Sequence, residues 1–358
     1  MKRFFECTVP ITKCNVKCSY CYIIQEGRRN GKIDGFLYSA DHIANALTKE
    51  RLGGTCYFSL CGNGETLIPK EIIPIAHKLL ENGHFVNITT NGTLTNKFEE
   101  IINNFSKDYL ERLHFSFSFH FTELKKKDLV GVFLKNVALV KASGCSFLVQ
   151  INLTDEYIEC WDEIKHICLD NFGALPHVAL TRDESFKEFK IMSDLSFPEY
   201  VRKGKEMNSP LFDFTVDNFN QKRTEFCYAG EWSAKLNIGT GDMMGCYGMG
   251  KRQNIYKSLN EPIKFEAIGC NCVLEYCVNS SHFMSLGVIP SKETPTYGSL
   301  RNRKIAGWQS EKMCQFLSEK LIESNQEYSP WKKGVVNIKY GALHNARRMK
   351  RLFNKVIQ

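Results

Sequence analysis

Six short strand-like runs, near residues 3–9, 55–61, 84–89, 113–119, 146–153 and 176–181, alternate with helical patterns along the first half of the chain. This alternation limits the fold more than any other feature of the sequence. The helical patterns fall at 41–52, 70–82, 96–105, 129–143 and 156–170. The first follows Ser39 as an N-cap and stops at Gly53-Gly54; the second follows Pro69, repeats Ile72, Ile73, Ala76, Leu79 and Leu80 at helical spacing, and stops at Gly83. A strand that returns parallel to its predecessor needs a long crossover, and such crossovers are right-handed. The expected fold is therefore α/β, a partial (β/α)6 TIM-like barrel over residues 1–195.

In parallel α/β folds ligands bind where the strands end and the βα loops gather. The chemistry-bearing motifs sit at those places. Cys14, Cys18 and Cys21, in the run CNVKCSYCY with Tyr20 before the last cysteine, follow the first strand. LCGNGETL, with Gly62, Gly64 and Glu65, follows the second; TTNGT, with Asn91 and Gly92, follows the third; Ser116, Ser118 and His120 close the fourth. Three soft thiolates within eight residues suit an iron–sulfur cluster, and three ligands leave one iron open to another molecule. The glycines let backbone approach a ligand closely, and Glu65 suits an ammonium group.

A chain of 358 residues that is 43% hydrophobic has room for one large domain and a smaller unit. No signal-peptide pattern opens it and no run of 18 apolar residues occurs, and 15 cysteines are far too few for a secreted disulfide scaffold. These features lead to a cytoplasmic expectation. The net charge of +8 fits an anionic substrate, a nucleic acid or an acidic peptide equally well.

The C-x3-C-x-aromatic-C run near the N-terminus resembles the signature of the radical S-adenosylmethionine (radical SAM) enzymes. The resemblance implies the same partial barrel, with Cys14, Cys18 and Cys21 on a [4Fe-4S] cluster whose open iron takes the amino and carboxylate groups of SAM. Reductive cleavage of SAM then yields a 5′-deoxyadenosyl radical, which takes a hydrogen atom from carbon; an electron donor such as flavodoxin or ferredoxin is implied. The expected cofactor-side residues are Tyr20, Gly62, Gly64, Glu65 (to the SAM amino group), Asn91, Ser118 (toward the ribose) and Asn152, with Gln150 as a polar partner and Arg182 as a carboxylate contact. Many relatives carry aspartate two residues after the serine, where this chain has His120.

Beyond residue 220 the alternation fades and Cys227, Cys246, Cys270, Cys272 and Cys277 appear within 51 residues, set among glycines. The spacing C-x13-G-x4-C resembles the front half of the SPASM extension of radical SAM enzymes, while C-x-C-x4-C departs from its back half. Six cysteines beyond residue 220, counting Cys314, are too few for two fully ligated clusters. The shortened, single-cluster twitch form is therefore expected over 220–290: one auxiliary [4Fe-4S] cluster on Cys227, Cys246, Cys272 and Cys277, with Cys270 as an alternate and a structural zinc site as the rival. Residues 300–358 read as a helical, basic C-terminal segment. In it Met349, Leu352, Phe353 and Val356 share a helical face that could dock on the chain's own domain or lie on a membrane surface.

The expected reaction is hydrogen-atom abstraction from carbon leading to oxidation or epimerisation. Only 13 residues precede Cys14, which leaves no leader-binding domain before it and favours a carbohydrate or other small polar substrate, phosphorylated in keeping with the positive charge. Maturation or cross-linking of a ribosomally made peptide or a protein is the alternative. A non-catalytic iron–sulfur relay or redox sensor is the rival of another class.

Overall fold

A computed structural model describes residues 1–33, 35–184, 190–247 and 249–342. The six expected strands form within a residue or two of their predicted bounds: β1 (Arg3–Val9), β2 (Cys56–Gly62), β3 (Phe85–Thr90), β4 (Leu113–Ser118), β5 (Ser146–Leu153) and β6 (His177–Leu180). They pair in parallel in that order. Two short strands, β7 (Arg182–Asp183) and β8 (Lys190–Ile191), pair with each other just beyond β6.

Helices cover the outer face. Ile72–Glu81 buries Ile72, Ile73, Ile75, Ala76, Leu79 and Leu80, each large side chain contributing about 1.5–3 kcal/mol. The helix expected over 41–52 is two, Ala40–Ala46 and Lys49–Leu52. The Thr48 hydroxyl caps the second by accepting from Arg51 N, so the chain restarts there instead of continuing. The pattern at 156–170 also divides, into Asp155–Ile158 and Trp161–Phe172.

The barrel stays open. The second edge of β1 is taken not by β6 but by β9 (Ser233–Asn237), again parallel, followed by the antiparallel β10 (Asp242–Met244) and β11 (Gln253–Asn254). The cysteine-rich region is therefore grafted onto the barrel sheet rather than set beside it, a link that the loss of strand–helix alternation after residue 220 had hidden. Alternation along the strands turns Phe4, Tyr57 and Phe85 into the lower end of the barrel. There they meet C-terminal residues, with Phe85 stacked on Phe316 at 3.7 Å and Phe4 edge-on to Phe283 at 5.9 Å. The segment expected as a helical tail thus closes the barrel floor. It is less helical than expected over 300–329, with helices at Tyr297–Arg301 and Glu311–Ser318 before residues 330–342 become helical. The amphipathic stretch at 349–356 lies outside the described residues. No described helix is long and apolar enough to cross a membrane.

Candidate active site

Above the apolar floor the inward-facing positions turn polar: Glu6 on β1, Ser59 on β2, Asn87 on β3, His114 and Ser116 on β4. Asn87 joins them, donating to Ser59 Oγ at 3.0 Å and accepting from Ser116 Oγ and His114 Nδ1 at 2.8 Å. Burial pushes the His114 imidazole down to about 3, so it is neutral.

At the upper rim the loops after β1, β2 and β3 lock together. Gly64 lies so close to the cysteine loop that a Cβ would come within 2.1 Å of the Lys13 carbonyl oxygen, and one on Gly62 would meet Ile11 at 2.8 Å. These glycines allow loop to pack on loop, where the sequence suggested close approach to a ligand. Glu65 is 2% exposed. Its carboxylate accepts from Leu67 N at 3.1 Å, Thr90 Oγ1 at 2.7 Å and Asn91 N at 2.8 Å. Burial raises its pKa and these bonds oppose the rise. Asn91 in turn donates to Asn15 Oδ1 at 2.7 Å and points Nδ2 at Cys14 Sγ, 3.7 Å away.

Cys14, Cys18, Tyr20, Cys21, Gly62, Gly64, Glu65, Asn91, Ser118 and Asn152 line one cavity of about 210 Å³. Burial raises the Cys14 thiol and pushes Cys18 up to about 12. Such thiols ionise only with a cation beside them, as a metal ligand does. His120, which the sequence places at the close of the fourth strand, belongs to this site. It lines this cavity and bonds the Tyr20 hydroxyl at 2.7 Å; Tyr20 also meets the Tyr157 hydroxyl at 2.7 Å. Burial pushes the His120 imidazole down to about 4. A neutral, anchored ring thus stands in the wall of the cavity.

Arg182 departs from its expected place. It lines a second, deeper cavity of about 280 Å³, and its guanidinium pairs with Glu184 at 2.7 Å and donates to the Val278 carbonyl at 2.8 Å. It ties the end of β6 to the cysteine-rich region and does not face the upper cavity. Gln150 also belongs to this second cavity, with Glu6, Asn87, Ser116 and Arg301. Polar residues at alternate positions of apolar strands were the available signal for Glu6 and Asn87; Arg301 had none.

Cys227, Cys246, Cys272 and Cys277 converge around a third cavity of about 30 Å³. Cys227 and Cys246 are held by antiparallel bridges to Gly269 and Met249. Burial pushes Cys277 up to about 12 and raises Cys227 and Cys246 as well, with the neighbouring thiols adding to the rise. Cys270 is separate, exposed and bonded by Asn337 Nδ2 at 3.5 Å. Cys314 sits on the helix Glu311–Ser318, next to Asn302. Among the described residues no three His, Cys, Asp or Glu side chains stand close enough to hold a single metal ion.

The three cavities form a series. Cys61, Thr89 and Ser118 line both the upper and middle ones, and Cys277, Val278 and Asn279 line both the middle one and the thiol-lined one. A half-open parallel barrel thus carries three cysteines on the wall of a cavity at its upper rim, above a polar interior. Residues 8–168 match the model of the Radical SAM superfamily. The match to a radical SAM domain implies a [4Fe-4S] cluster and SAM as its cofactors.

Solved structures agree on the fold. SuiB of Streptococcus suis, bound to S-adenosylmethionine, superposes with a TM-score of 0.51 at 16% identity, over 72% of this chain and 64% of SuiB. SuiB bound to its precursor peptide SuiA gives the same values. Native anSMEcpe with bound AdoMet superposes at 0.50 with 15% identity, over 72% of this chain and 79% of that one. The chain thus covers less than two thirds of SuiB's length. No curated protein matches it.

Proposed function

We propose that this protein is a radical SAM enzyme that oxidises a substrate held in the middle cavity, with a second cluster in the cysteine-rich region as electron acceptor. The observation that carries the reading is the series of cavities, with the substrate space touching the cofactor cavity at Cys61, Thr89 and Ser118 and the second thiol set at Cys277.

Cys14, Cys18 and Cys21 would hold the first [4Fe-4S] cluster, and Cys227, Cys246, Cys272 and Cys277 the second. The first cluster with SAM supplies the radical that takes a hydrogen atom from carbon. Zinc is the poorer occupant of the second site. A single ion with sulfurs about 2.3 Å away brings those sulfurs to about 3.8 Å from one another, and the described thiols form no such group, whereas four thiols around a cavity suit a polynuclear centre. Glu65 and Asn91 set the rim: the carboxylate fixes the second and third loops, and Asn91 donates toward the Cys14 sulfur. The buried network of Tyr20, His120 and Tyr157 fixes the aromatic residue of the cysteine motif. An external reductant such as flavodoxin or ferredoxin completes the cycle.

A cavity of about 280 Å³ suits one amino-acid side chain or one small polar molecule. The peptide reading is favoured by SuiB, whose structure was solved with its precursor peptide. The carbohydrate reading rests on the polar wall alone. Anaerobic reconstitution, iron and sulfide counting, and assay for 5′-deoxyadenosine from SAM and a strong reductant test the proposal. Two clusters and SAM cleavage are expected; an intact protein that binds one cluster or leaves SAM uncleaved would sink it. An oxidised product 2 Da lighter than the substrate then separates oxidation from epimerisation.

A further inference from the structure

The lower end of the middle cavity holds a buried cation without a counter-charge. Arg301, on the helix Tyr297–Arg301, is 2% exposed and lines the cavity. Its Nη1 donates to the Tyr297 carbonyl at 3.2 Å and the guanidinium lies over the Tyr297 ring at 3.6 Å. Nη2 is buried with no hydrogen-bond partner, and no Asp or Glu among the described residues forms an ion pair with Arg301. His282 lines the same cavity, and its Nδ1 is likewise buried without a partner.

The carboxylate in the cavity wall is already engaged: Glu6 accepts from the Tyr247 hydroxyl and from Asn279 Nδ2 at 3.2 Å, and pairs with Lys235 at 3.6 Å. A guanidinium removed from water without a counter-charge and with one end unbonded is costly for a fold to hold. Arg301 is aimed into a cavity that a ligand can fill, and an oxyanion there would meet a rigid donor fork suited to planar, bidentate contact.

We propose that Arg301, with His282 beside it, is the seat for a carboxylate or phosphate group on the substrate. The anion is held at the bottom of the middle cavity, and the rest of the substrate extends up toward Ser118 and Cys61, where that cavity meets the cofactor's. The orientation rests on the function proposed above; the anion seat does not. The sequence's net positive charge admitted an anionic substrate without placing it, and Arg301 supplies the place.

The test is an anaerobic thermal-shift titration of the reconstituted protein with sodium propionate, methyl phosphate and neutral propionamide at constant ionic strength. One of the anions should raise Tm saturably, by about 3–5 °C near a hundred times its dissociation constant, and propionamide should not. The stronger anion distinguishes carboxylate from phosphate. Arg301→Met should remove the shift and melt no lower than the parent, because it removes an uncompensated buried charge. An Arg301→Met protein that responds like the parent, or a parent with no saturable response to either anion, overturns the seat. Should Arg301→Met not fold, Arg301→Lys decides: a response at least tenfold weaker sustains the seat, and an unchanged one overturns it. Failure of the parent to cleave SAM would defeat the proposed function while leaving the anion result standing.

Discussion

The two thiol sets of this chain are built in opposite ways. In the barrel, Cys14, Cys18 and Cys21 come from one loop of eight residues, and that loop is fastened by structure that exists without them: β1 with Phe5, Cys7 and Val9 fully buried, Gly64 against the Lys13 carbonyl, and Asn91 reaching back to Asn15. In the C-terminal region the four converging cysteines span 51 residues, and the segment that brings them together is joined by isolated bridges and short strands. Closing long irregular loops costs conformational entropy that few regular hydrogen bonds offset. The first site is a scaffold that receives a cofactor, whereas in the second a bound centre would supply part of the folding energy.

The sharpest way to break this comparison is to remove each ligand set in turn. Changing Cys14, Cys18 and Cys21 together to alanine should abolish SAM cleavage and lower iron and sulfide by about half, while circular dichroism and the melting temperature stay close to the parent's. If SAM cleavage survives, those thiols do not hold the reacting centre. Replacing Cys227 and Cys246 should also lower iron and sulfide, yet some 5′-deoxyadenosine should still form. Here the second outcome is structural: amides between residues 225 and 280 should exchange hydrogen much faster, as in a segment that has lost its tie. Unchanged protection there would show that the region holds itself together, and the contrast would fail.

A smaller effect probes the barrel rim alone. Both Glu65 oxygens accept hydrogen bonds, from two backbone amides and a hydroxyl. Glu65→Gln must turn an amide NH₂ toward a buried donor whichever way it lies, so unfolding free energy measured in denaturant should drop by about 1–3 kcal/mol. SAM affinity falls with it as the second and third loops separate. A variant as stable as the parent that binds SAM weakly would return Glu65 to the direct ammonium contact that the sequence suggested.

What could be read in advance follows the same division. The strands were legible because each is a buried run, the first four closed by a loop or strand end with its own chemistry, and period and punctuation agreed. The divided helix at Thr48 was not, because a threonine at helical spacing is a cap only when its hydroxyl finds Arg51 N. Arg182 was misplaced because a cation after the sixth strand can turn toward either cavity, and Glu184 with the Val278 carbonyl decides it. Arg301 had no sequence signal at all, since a lone arginine near the end of a short helix is ordinarily solvated. Only the packing of the C-terminal segment under Phe4, Tyr57 and Phe85 buries it.

Cys270 gives the finest test, because it and Cys272 are separated by one residue and the sequence treats them almost alike. The structure separates them. Cys272 lines the thiol-lined cavity with Cys227, Cys246 and Cys277, whereas Cys270 is exposed, with its backbone N donating to Asn337 Oδ1 at 2.9 Å and its sulfur beside Asn337 Nδ2. Cys270→Ser should therefore leave iron, sulfide and SAM cleavage at parental values and change stability by no more than about 0.5 kcal/mol, as exposed substitutions do. Cys272→Ser, two residues on, should lower iron and sulfide. Equal losses from the two substitutions would mean that this turn rearranges to offer Cys270 as a ligand, and the four-thiol set would have to be redrawn.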